Sequence, residues 1–213
     1  MNEINNSKDN GFVKVKASKS SLTKRKLRYG KAINDAWYIS QFKVDGKFVK
    51  CPAIDAWSKM IFRAYNGKFH TKQPTYNDVT VCEEWLTFSN FAKWYELNCV
   101  KGWALDKDIK IPGNKIYSPA ACMYVPQSIN QLLTDSAAAR GSLPIGVSFD
   151  KINNKYMASI RIKGRHNNLG RFTTIEEASK VYRQAKNTDI LCRCKEYPEL
   201  ACYLKQHLYQ VEA

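Results

Sequence analysis

The chain has 213 residues, of which 44% are hydrophobic and 25% charged, and carries a formal net charge of +15. That composition excludes a wholly disordered chain, and no apolar run approaches the ~18 residues of a membrane-spanning helix. So large a positive charge makes a polyanion the default partner.

The excess is concentrated in two segments. Residues 13–50 hold eleven Lys/Arg against Asp35 and Asp45, and residues 140–171 hold seven against Asp150 alone, while the blocks between and after them are nearly balanced. The first segment opens as a polar Lys/Ser-rich stretch and continues through Lys24, Arg25, Lys26 and Arg28. It reads as a flexible basic arm that gains affinity by releasing counterions from phosphates. It lacks the apolar stripe of an interfacial helix, which argues against an anionic membrane. Met1–Asn10 has no apolar core of a secretory signal. The seven cysteines are odd in number and irregularly spaced, which points to reduced thiols and a cytoplasmic setting.

In chain order, Trp37–Phe42 and Phe48–Val49 flank an Asp45-Gly46 turn and predict a hairpin. Pro52 opens a helix whose Trp57, Met60, Ile61, Ala64 and Tyr65 recur at helical spacing up to Gly67. Phe88, Phe91, Trp94 and Tyr95 predict a second helix. Both aromatic stripes are expected to be core. Leu105–Ile111 reads as a strand, Pro112-Gly113-Asn114 as a turn, Ile116-Tyr117 as a short extended piece, and Pro126 reopens a helix through Asn130 to Leu133. After a small-residue linker, Ile145, Val147 and Phe149 alternate with polar residues, and Lys155–Lys163 is a second strand. Gly164-Arg165 turns into a third extended stretch ending at Phe172. Thr174 and Glu177 have capping-box spacing and begin a helix with a stripe of Ala178, Val181, Tyr182 and Ala185. The tail from Glu196 to Gln210 reads as a further helix begun by Pro198.

The strand Lys155–Lys163 carries the sharpest signal. One face holds Tyr156, Ala158, Ile160 and Ile162; the other holds Lys155, Met157, Ser159, Arg161 and Lys163. Three cations on one face repel each other and are poorly explained by stability. A sheet can enter the major groove, where Arg bridges guanine O6 and N7 while other cations grip phosphates. Arg165, His166, Asn168 and Arg171 are expected to extend that surface.

The tracts Ile145–Asp150, Lys155–Ile160, Leu169-Gly170-Arg171-Phe172 and Glu176-Glu177-Ala178…Tyr182 together resemble the APETALA2-type (ethylene-response-factor) DNA-binding domain over residues 143 to about 188. The resemblance implies a three-stranded sheet docked in the major groove of double-stranded DNA, with Arg161, Lys163 and Arg165 as the foremost contacts.

Phage and bacterial versions of that domain often follow an HNH homing-endonuclease domain, and Trp57–Leu133 resembles such phage proteins. The tracts that carry this likeness are Val81–Phe91 and Leu105-Asp106-Lys107-Asp108. It implies a ββα site in which an Asp and a helical Asn hold Mg²⁺ or Mn²⁺ and a neighbouring His activates water. Carried over by position, Asp106 and Asn130 are the metal ligands, with Asp108 as a substitute. The sequence departs from the pattern: Lys107 stands where the general-base His belongs, and Cys122 where a structural Asn usually sits. An ammonium beside two carboxylates is a poor base near neutrality, so His70 is the remaining histidine that could fold in.

The expectation is therefore an α+β chain. It has a basic arm (1–36), an HNH-like ββα domain with a helical scaffold (37–136), a linker (137–142), a sheet-plus-helix DNA-binding domain (143–190) and a C-terminal helix (191–213). Two functions follow from it: a metal-dependent endonuclease, or a catalytically inactive DNA-binding regulator or interfering factor that retains the fold.

Overall fold

The computed structural model describes residues 12–134 and 141–210. Residues 1–11 of the expected arm and 137–140 of the expected linker lie outside the described residues. The protein mixes helices with small sheets in α+β fashion, and the chain divides into two compact units, one running to Val125 and the other from Pro126. No helix among the described residues is long and apolar enough to cross a membrane.

The first unit is built on an aromatic core. A short helix α1 (Lys19–Thr23), capped by the Ser18 side chain, precedes a hairpin of β1 (Gln41–Val44) and β2 (Lys47–Lys50). Asp45 and Gly46 both take positive φ at its turn, the geometry an Asp-Gly pair favours. Helix α2 (Pro52–Tyr65) starts with proline in its first turn and buries Ala53, Ile54, Trp57, Met60, Ile61 and Ala64. Its Trp57 Nε1 donates to the Trp85 carbonyl at 2.7 Å, which satisfies the indole of a fully buried ring. Asn66 ends α2 and caps the next helix, α3 (Gly67–Lys72), by accepting from Phe69 N at 2.8 Å. His70 lies on α3, with its Nε2 at 2.8 Å from the Arg63 carbonyl oxygen. After β3 (Thr80–Val81), helix α4 (Phe88–Asn98) buries Phe88, Phe91 and Tyr95. Strands β4 (Trp103–Asp106), β5 (Ile116–Tyr117) and β6 (Met123–Pro126) form two small pairs, β3 with β5 in parallel and β4 with β6.

Two expectations for this unit are corrected. The stretch read as a flexible arm is folded from Phe12 onward: Phe12, Ala17, Ala32 and Ala36 are buried. Its backbone also pairs with residues 37–39, Ala17 N donating to Trp37 O and Ile39 N to Val15 O. Small apolar residues scattered among lysines anchor the segment, which a charge count does not reveal. The strand expected over Leu105–Ile111 lies instead at Trp103–Asp106, because Asp106 Oδ1 accepts from both Asp108 N and Ile109 N at 2.8 Å and turns the chain.

The second unit begins with α5 (Gln127–Leu133). An antiparallel sheet follows, ordered β7 (Val147–Asp150), β8 (Lys155–Ile162), β9 (Arg165–Phe172). Helix α6 (Ile175–Glu196) carries a complete capping box between Thr174 and Glu177. It packs Ala178 against Val147 and Ala158, with Tyr156, Leu169 and Phe172 around them. At Gly146, φ is +78°, and a Cβ there would lie 1.9 Å from the Tyr182 ring, so strand and helix meet only because glycine stands at that point.

The helix does not stop near residue 190. No proline or glycine intervenes before Pro198, the buried Asp189–Arg193 ion pair spans one turn at 3.3 Å, and Ile190 and Cys194 are buried. The chain breaks only at Tyr197, passes through a short turn of 3₁₀ helix at Pro198–Leu200 and forms α7 (Ala201–Leu204), with Leu200 and Leu204 buried. The separate tail helix expected over Glu196–Gln210 is thus three short helical turns, the last a 3₁₀ turn at Lys205–His207, behind a longer α6.

Candidate nucleic-acid interface

Alternation along β8 and its register with both neighbours define the sheet's two faces. Tyr156, Ala158, Ile160 and Ile162 lie on the α6 side, and Ala158 and Ile160 are buried. Opposite them stand Lys155, Met157, Ser159 and Arg161, joined across the ladders by Ser148 and Asp150 of β7 and by His166, Asn168 and Arg171 of β9. Lys155, Arg161, His166, Asn168, Arg171 and Ser148 are exposed; Met157 and Ser159 are half-buried. This outer face therefore carries three cations and several hydrogen-bonding side chains, with Asp150 as its single acid.

A bulge decides which β9 residues share that face. Ala158 pairs with Gly170 but Ser159 pairs with Asn168, so Leu169 is the extra residue. Leu169 packs toward the core, and the Asn168 side chain accepts from Gly170 N at 3.0 Å across the bulge. Simple alternation from Arg171 would bring Arg165 to the outer face; the bulge inverts the phase and brings Asn168 and His166 there instead.

Two of the foremost expected contacts are thereby displaced. Arg165 pairs with Ile162, in register with the α6 side. Lys163 is not in the strand but in a two-residue turn with Gly164, both at positive φ, and its Nζ lies 3.7 Å from Glu196 Oε2. Arg161 keeps its expected place on the outer face, opposite His166. His166, Asn168 and Arg171 also lie on that face as expected, and Ser148 is an addition whose signal was the alternation of the first strand.

Asp150 organises one end of the face. Its Oδ1 accepts from Ile152 N and Asn153 N, and its Oδ2 from Asn153 Nδ2 at 2.8 Å and Arg171 Nε at 2.7 Å. These bonds, from the Asn153 side chain first and Arg171 next, hold its carboxyl down at about 2. They also fix Arg171 above the sheet.

The basic residues of the first unit divide by role. Arg25 donates to the carbonyls of Asn34 (2.9 Å), Tyr38 (2.8 Å) and Ala36, and Arg28 lies 5.5 Å from the Trp57 ring centroid. Both guanidiniums are spent on the fold. Lys24 and Lys26 are exposed.

Asp106, Lys107 and Asp108 lie at the turn that follows β4. Lys107 is turned inward, 8% exposed. Its ammonium donates to Asp108 Oδ1 and to the Asn114 carbonyl at 3.0 Å, about 6 Å from the ring centroids of Tyr76 and Tyr117. Burial pushes the Asp108 carboxyl up, against the opposing pull of the Lys107 hydrogen bond and charge. Asp106 spends Oδ1 on two backbone N–H groups, and the thiol of neighbouring Cys122 is pushed up to about 12 by burial. Asn130 lies on α5 in the second unit, where its backbone carbonyl accepts from Thr134 Oγ1. A divalent ion needs several free oxygen ligands. Asp106 Oδ1 is bound to the chain and Asp108 Oδ1 to an ammonium, and among the described residues no three His, Cys, Asp or Glu side chains gather. Asp106 and Lys107 stitch the turn that follows β4. The seven cysteines are free thiols.

Comparisons with family models, with curated proteins and with solved structures find no match for this chain.

Proposed function

We propose that the chain is a double-stranded-DNA-binding protein of the cytoplasm that reads the major groove with the outer face of β7–β8–β9. The observation that carries this reading is the exposed row of Lys155, Arg161 and Arg171 interleaved with Ser159, Asn168 and His166, on a sheet whose other face is filled by α6. Two strands fit the ~12 Å width of a major groove, and Arg161, on the middle strand near its hairpin end, can bridge guanine O6 and N7. Lys155 and Arg171 then contact phosphates and set the register without reading sequence. Exposed Lys24 and Lys26 of the first unit add a sequence-independent, salt-sensitive contribution. The likeness of residues 143–188 to the APETALA2-type domain supports the same face.

Binding without cutting is the form of this function that the Asp106–Lys107–Asp108 arrangement favours. Lys107, at the position of the general base, is inside the protein, and one oxygen of each carboxylate is engaged by the chain. Anisotropy titrations of labelled duplex at graded salt test the reading. The expected result is uptake that weakens steeply with salt and is reduced by Arg161→Ala. No uptake of duplex at low ionic strength would defeat it. Incubation of duplex with Mg²⁺ or Mn²⁺ should leave the DNA intact; cleavage lost on Asp106→Ala would establish the nuclease instead.

A further inference from the structure

The β1–β2 hairpin of the first unit is a second built surface. Cross-strand partners share a face, so the register sorts its residues into two sets. Phe42 and Val49 face inward and pack on the core, the Phe42 ring 5.2 Å from that of Phe12. Gln41, Lys43, Phe48 and Lys50 face outward, all exposed, and Phe48 keeps 59% of its surface in solvent. Phe48 stands directly opposite Lys43, whose ammonium lies 5.0 Å from the ring centroid, and one same-face step from Lys50. The inward pair fixes the strands, and the Asp45-Gly46 turn closes them, so the outward ring is presented on an ordered scaffold. Core packing does not account for an aromatic ring held outward beside one ammonium group, with a second lysine on the same face.

We propose that this outward face binds single-stranded DNA, with Phe48 stacking on an unpaired base while Lys43 and Lys50 hold the flanking phosphates. An exposed aromatic ring that shares its face with two lysines suits a polyanion whose bases are free to stack, because every base offers a π-face and the lysines supply the electrostatic attraction. A duplex keeps its base faces stacked away and cannot use such a ring. The site is complementary in charge to the strand, since the face carries no acid and Asp45 lies at the turn. It does not depend on the major-groove reading of the second unit.

The test is anisotropy of the full chain with labelled oligodeoxythymidylate, beside the same titration with duplex. Wild-type protein should bind the single strand, Phe48→Ala should weaken it about tenfold, and Phe48→Trp should retain binding. Replacing Lys43 and Lys50 with alanine should flatten the salt slope by about 0.7 per lysine. Duplex affinity should be unchanged by Phe48→Ala, and Arg161→Ala should leave single-strand affinity unchanged. Far-ultraviolet circular dichroism melts should show Phe48→Ala still folded; if it is not, Phe48→Thr, a good strand former, replaces it in the same comparison. Absence of single-strand binding, or binding indifferent to Phe48, overturns the proposal. So does loss of single-strand binding on Arg161→Ala, which would put the strand on the other sheet. Tighter binding of oligouridylate than of oligodeoxythymidylate overturns DNA as the ligand.

Discussion

Gly146→Ala should loosen the second unit by an amount that the geometry sets. At φ +78° an L-residue costs about 1–2 kcal/mol of backbone strain. The new Cβ would fall 1.9, 2.2 and 2.5 Å from three atoms of the Tyr182 ring, which is only 4% exposed and has no room to retreat. Overpacking of this kind costs about 1–3 kcal/mol, so the sum is about 2–5 kcal/mol. For a unit of this size that lowers the melting temperature by about 10 °C or more. Urea denaturation followed by circular dichroism measures it, and a double-mutant cycle with Tyr182→Ala isolates the clash. In the Tyr182→Ala background, Gly146→Ala should cost only the strain, about 1–2 kcal/mol. An equal cost in both backgrounds, or a cost below 1 kcal/mol in the wild type, would refute the contact between strand entry and helix. The outer face depends on that contact, because α6 is what fills the sheet's other side.

Arg161→Ala should cost about 1–3 kcal/mol of duplex affinity and relax the preference for one base pair without changing the melting temperature, since its side chain is exposed. Titration against a panel of single-substitution duplexes checks both. Asp150→Asn should flatten the acid limb of the stability curve: the folded carboxyl sits at about 2, below its ordinary value of 3.8, so its stabilisation is complete above about pH 4 and is lost as pH falls through 2. Denaturation series between pH 2 and 5 report the difference. Lys107→Ala should destabilise the protein by about 1–3 kcal/mol by leaving the Asn114 carbonyl and Asp108 without their donor, and should not alter duplex affinity. Arg25→Ala should likewise lower stability, because three carbonyls lose one guanidinium. Lys24→Ala with Lys26→Ala should instead leave stability intact and reduce the salt slope of duplex binding.

The last contrast changes how the basic N-terminal region must be probed. Deleting residues 1–35 would remove Phe12, Ala17 and Ala32 from the core together with the Arg25 network, so a loss of binding would report unfolding rather than lost charge. Single lysine replacements at exposed sites avoid that confusion.

Short-range physics was legible in the chain alone. The Asp45-Gly46 turn, the Pro52 start and apolar spacing of α2, the aromatic stripe of α4, the capping box of α6 and the alternation of β8 all depend on residues within one or two turns of each other. So did the charge excess and the cationic side of β8. What only the tertiary structure decided is where long polar side chains end and how distant segments phase against each other. Arg25 folds inward because the carbonyls of Asn34, Ala36 and Tyr38 converge on it, and Lys107 because Asn114 and Asp108 bring oxygens to a buried spot. The Leu169 bulge exchanged Arg165 for Asn168 and His166 on the outer face, since one extra residue inverts every position beyond it in a period-two element. Charge and periodicity are properties of the chain; the orientation of a cation follows from which acceptors the rest of the fold brings within its reach.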